Sequence, residues 1–164
     1  MDIKEINGIL NLASVASSFE KDYSPIRLVS LSEDQESSSI VIKSLSADCR
    51  SHLHVRVSNA SIKNLSGIIG GEDLELTPNV HKTFCNIANF AGVDFVVGYG
   101  EKYNDRIGEI VSSVLVRQGN NFLSLEIPFG DLVCLSIIGN VPIYVRSVIF
   151  DSFGIEFEDI KAKG

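Results

Sequence analysis

The sequence predicts a strand-dominated α+β fold. Three observations carry the prediction. Short segments alternate apolar and polar residues, turn residues recur through the C-terminal half, and two stretches have helical periodicity. The expected architecture is an antiparallel sheet, with a meander in the C-terminal half forming a sandwich or a half-open barrel. An N-terminal helix and one mid-chain helix accompany it.

Asp2 followed by Glu5 suits a helix start, and Ile6, Ile9, Leu10, Ala13 and Ala16 recur at helical spacing. A helix over Asp2 to Phe19 follows, weakened at Gly8 by about 1 kcal/mol relative to Ala. Tyr23-Ser24-Pro25 ends it. Ile26 to Leu31 and Ile40 to Leu45 are strand candidates, separated by a polar loop over Ser32 to Ser39. His52 to Val57 alternates, with Leu53, Val55 and Val57 on one side and His52, His54 and Arg56 on the other. Ile62 to Leu65 extends this strand, and Glu72 to Leu76 forms another short one.

The mid-chain helix has the strongest signals. Thr77 serves as N-cap, Pro78 takes the first helical position, and Gly92 supplies the stop. Val80, Phe84, Ile87, Ala88 and Ala91 form one stripe. Asp94 to Tyr99 is strand-like, and Gly98 to Gly108 reads as a long polar loop. Strands are expected over Ile110 to Arg117, Phe122 to Ile127 and Leu132 to Ile138. Gly139-Asn140 then forms a two-residue hairpin turn into a last strand, Val141 to Phe150. Ser66 to Gly70 (SGIIG) and Ser136 to Asn140 (SIIGN) are alike, over too short a length to establish a duplication.

The 164 residues suit one domain, expected over 1–164, and 45% hydrophobic residues suit a continuous core. A net charge of −7 disfavours nucleic acid and anionic lipid as partners and suits a basic protein. Cys49, Cys85 and Cys134 are widely spaced and lie in or beside apolar segments, as buried free thiols do. A reducing cytoplasm is the expected compartment. The N-terminus is too polar for a secretion signal, and the apolar stretch Leu132 to Val148 is too interrupted to span a membrane.

No nucleophile elbow, phosphate-binding loop or calcium-loop register is present in the sequence, and no catalytic residue or cofactor is assigned. Alternate strand positions put the imidazoles of His52 and His54 on one side, about 7 Å apart. With Cys49, and His81 or an acidic residue, they would make a zinc-type donor set, and a metal-dependent enzyme is one alternative. A solvated strand face is the commoner meaning of this pattern. Acidic residues cluster at Glu72, Asp73 and Glu75, at Glu101, Asp105 and Glu109, and in the tail at Asp151, Glu156, Glu158 and Asp159. Lys102, Tyr103 and Arg106 accompany the second cluster, a mixture typical of protein interfaces. The expectation is a non-catalytic protein-binding domain, such as an immunity- or antitoxin-like inhibitor of a basic toxin nuclease. A structural or assembly subunit forming a homo-oligomer is the alternative.

Overall fold

The computed structural model describes residues 22–34, 36–46, 51–71 and 79–156. The expected N-terminal helix, the short strand at 72–76, the Thr77-Pro78 helix start and the last residues of the tail lie outside them. Eight strands and four helices follow one another along the described chain. The first unit is β1 (Tyr23–Glu33), β2 (Ser38–Ser44), β3 (Ser51–Val57) and α1 (Asn59–Ile69). The second is α2 (Val80–Phe90), β4 (Val93–Asn104), β5 (Glu109–Gln118), β6 (Asn121–Pro128) and α3 (Phe129–Gly139). β7 (Ile143–Arg146), α4 (Ser147–Phe153) and β8 (Ile155–Glu156) complete it.

The strands form one sheet in the order β6-β5-β4-β7-β1-β2-β3-β8. It is mixed rather than purely antiparallel, because β7 enters between the two meanders. β7 runs antiparallel to β1 and parallel to β4. β1 and β4 therefore run in opposite directions, as an approximate two-fold axis normal to the sheet requires. Each meander leads directly into an 11-residue helix. The residue numbers of α1 and α3 differ by 70 (59 and 129, 69 and 139). SGIIG and SIIGN occupy equivalent helix ends, so the short likeness marks a repeated structural unit.

α1 and α3 pack on each other, and the core lies between them and the sheet. Ile62 and Leu65 of α1 and Leu132 and Val133 of α3 meet Ile40, Ile42, Leu53, Val55, Val114 and Val116. Each such side chain, fully buried, contributes about 1.5–3 kcal/mol. Gly98 allows the close approach: a Cβ there would lie 2.6 Å from Leu132 Cδ1.

Four segments differ from expectation. Ile62 to Leu65 belongs to α1, not to an extension of β3. The side chain of Ser58 accepts the Ser61 N–H and starts a helix immediately after the strand. Leu132 to Ile138 is the helix α3 rather than a strand. An unbroken apolar run has no period to separate the two, and α3 is packed by α1, α2 and the sheet together. Asn140 consequently ends α3 in the left-handed region (φ 52°) instead of turning a hairpin. The expected strand Val141 to Phe150 divides into β7 and α4. The expected long loop over Gly98 to Gly108 is also strand: β4 runs to Asn104, leaving a tight turn before β5. No helix among the described residues is long and apolar enough to cross a membrane.

Candidate functional site

The charged residues expected at a partner surface lie on the β4–β5 hairpin, and the hairpin separates them. Pairing shifts between Gly100 and Lys102, which bulges the strand at Glu101. Glu101 accepts a hydrogen bond from the Tyr23 hydroxyl at 2.8 Å, and Arg146 lies 3.9 Å from the same carboxylate oxygen. Burial raises the Tyr23 pKa; hydrogen bonding to Arg146 opposes this, and Glu101 adds to it. Tyr103 is likewise engaged within the fold. Its hydroxyl donates to the His54 carbonyl at 3.0 Å, and its ring centroid is 5.0 Å from that of Phe153.

Lys102, Asp105, Arg106 and Glu109 remain exposed. The Asn104 side chain accepts the Arg106 N–H, and Gly108 (φ 71°) closes the turn. The Arg56 N–H then donates to the Gly108 carbonyl at 2.6 Å, docking the hairpin tip on β3. A groove of about 440 Å³ opens beside it, lined by residues including Glu36, Arg56, Ser58, Asn59 and Glu109. The hairpin thus brings Glu109 to Arg56 and Glu36, and turns Glu101 towards Tyr23. Glu72, Asp73 and Glu75 lie outside the described residues.

α2, which leads into β4, turns most of its apolar stripe outward. Asn79 caps the helix, accepting the N–H groups of His81 and Lys82 at 2.9 and 3.2 Å. The buried residues are His81, Cys85 and Ala88. Val80, Phe84 and Ile87 face outward with 67%, 46% and 59% exposure, and Phe90 reaches 96%. Both sets repeat at i, i+4 and i+7, so the helical period fits either face. On the inward side, His81 Nε2 lies 3.0 Å from Asp131 Oδ1 on α3. Phe84 keeps partial cover from Phe95, with ring centroids 5.5 Å apart. The outer stripe was visible in the sequence as apolar residues; its direction was not.

His81, Asp131 and Ser61 are not arranged as a nucleophilic triad. The Ser61 hydroxyl donates to Asp131 Oδ1 at 3.1 Å, the oxygen that also contacts His81. A triad requires the hydroxyl on the imidazole. Here the carboxylate joins α1, α2 and α3. His52 and His54 differ in burial: His52 is buried with 5% exposure, and His54 is exposed. Burial lowers the His52 pKa, with Lys43 and His54 adding to the effect. Cys49 lies outside the described residues, and among those described no three His, Cys, Asp or Glu residues converge as metal ligands.

Comparison with known protein families finds no matching family model, and comparison with curated proteins finds no match.

Proposed function

We propose that this protein is a non-catalytic protein-binding domain that engages a basic protein, such as a toxin nuclease. The observation that carries the reading is the outward apolar stripe of α2, Val80, Phe84 and Ile87, extended by Phe90. Apolar side chains held open on a rigid helix are the usual anchors of a protein interface. The net charge of −7 supports a basic partner, because opposite fields accelerate encounter. The exposed Asp105 and Glu109 contribute to that field. They lie in the β4–β5 turn and at the start of β5, outside the apolar stripe of α2.

The test compares capture from native lysate by the wild-type protein and by the double variant Phe84→Ser, Ile87→Ser, at low and high salt. The captured protein is then purified and titrated by calorimetry, and its nuclease activity is assayed with and without this protein. The expected result is a basic partner that the double variant loses and that salt weakens. Equal binding by the variant removes α2 from the interface. A salt-insensitive association rate removes the basic partner.

A further inference from the structure

The two repeated units treat their third strands differently. Leu53, Val55 and Val57 of β3 are 1%, 0% and 9% exposed. Their equivalents 70 positions on are Leu123, Leu125 and Ile127 of β6. Leu123 pairs with Val116, Leu125 with Val114 and Ile127 with Ser112, all buried residues of β5. Directly paired residues point to one face of a sheet. The β6 residues therefore continue the core row sideways, yet Leu123 stays 58% exposed and Leu125 38%.

The cause lies at the two edges. β3 is covered by α4 and capped by β8, with Ser51 paired to Glu156 and His52 to Ile155. Among the described residues, β6 pairs only with β5. Its eight residues also lack the usual protection of an open edge. They contain no lysine, their pairing with β5 has no bulge, and Pro128 stands only at the end.

We propose that the β6 edge pairs antiparallel with the β6 edge of a second copy of this chain, making one continuous sheet across a two-fold axis. β6 is self-complementary in a register centred on Ser124. Leu123 then stands opposite Leu125 of the second copy, and Leu125 opposite Leu123. Four leucines meet on the helix-bearing face with opposed Cβ atoms about 4.5–5.5 Å apart. The only charged residue of β6, Glu126, faces Phe122 of the second copy rather than another carboxylate. Pro128, which has no N–H, falls outside the ladder. This surface is distinct from the outer face of α2. Two copies each carrying −7 repel one another, so salt strengthens this contact, opposite to its effect on a basic partner.

Sedimentation velocity of the full chain over a wide concentration range, at low and high salt, reads the association. Hydrogen exchange of the β6 amides locates it. The expected result is a monomer–dimer equilibrium that tightens with salt, with β6 protection rising as the dimer forms. Leu123→Lys and Leu125→Lys each weaken it about tenfold or more, and unchanged circular dichroism shows that they still fold. The proposal is overturned by a wild-type protein that stays monomeric at every concentration in both salts. It is equally overturned by a dimer that survives both lysine variants, or by one abolished by Phe84→Ser with β6 exchange unchanged.

Discussion

Asp131 Oδ1 lies 3.0 Å from His81 Nε2, a contact that ties α3 to the inward side of α2. The same oxygen accepts the Ser61 hydroxyl of α1, which in turn accepts the Ser58 hydroxyl. Replacing Asp131 by Ala leaves the buried His81 ring and the Ser61 hydroxyl without that acceptor. The expected cost is about 1–3 kcal/mol of unfolding free energy, read from urea titration. A loss within error would show that α2 is held by apolar packing alone.

Gly98 sits beneath α3, where a Cβ would meet Leu132 Cδ1 at 2.6 Å and Cδ2 at 2.8 Å. Leu132 is fully buried, and the Gly98 N–H donates to the Pro142 carbonyl at 2.9 Å, so neither side can yield freely. Gly98→Ala is expected to lower stability by about 1–3 kcal/mol by overpacking. The double variant Gly98→Ala, Leu132→Val should recover part of the loss. Additive losses in thermal denaturation would argue against a steric cause.

Cys134 is fully buried on α3, and burial pushes its thiol up from 9.0 to about 12, with Asp131 adding to the rise. The native state therefore keeps a proton that the unfolded chain releases above about pH 9. Below pH 9 the group has no effect on stability; from there towards pH 12, stability falls as pH rises. Cys134→Ala should flatten that alkaline decline. Alkylation at pH 8 followed by mass spectrometry should leave Cys134 unmodified until the protein is unfolded; rapid native labelling would contradict its burial.

Asn140 closes α3 at φ 52°, donating its backbone N–H to the Ser136 carbonyl. Asn tolerates this conformation and Gly adopts it without steric cost. Asn140→Gly should leave the melting temperature equal or slightly higher, and Asn140→Ala should lower stability by about 1 kcal/mol. Equal effects of the two variants would show that the side chain, not the backbone conformation, matters there.

Much of the sheet can be read locally. β2, β3, β5 and β6 stand close to the bounds that alternation and turn residues imply, because half-buried strands display their two faces in the sequence. The errors occur where that display fails. Leu132 to Ile138 is apolar on every side, and its neighbours rather than its pattern make it a helix. β4 continues through residues whose polarity suggested a loop, because the open side of a strand tolerates Lys102 and Asn104. For the candidate surface, residue types identified Asp105, Arg106 and Glu109 as exposed. They gave no sign that Glu101 and Tyr103 are engaged by Tyr23, His54 and Phe153.

By itself the sequence determined the strand-dominated α+β class, the inward row Leu53, Val55 and Val57, and the apolar character of α2. Tertiary structure alone decided the insertion of β7 between the meanders, the inward face of α2 and the unequal burial of β3 and β6. Periodicity records how side chains are distributed around one element. Pairing between distant strands, and the choice between two equally spaced apolar faces, depend on contacts that form only when the chain closes on itself. His81 reaching Asp131 and β8 capping β3, where β6 among the described residues pairs only with β5, are of that kind.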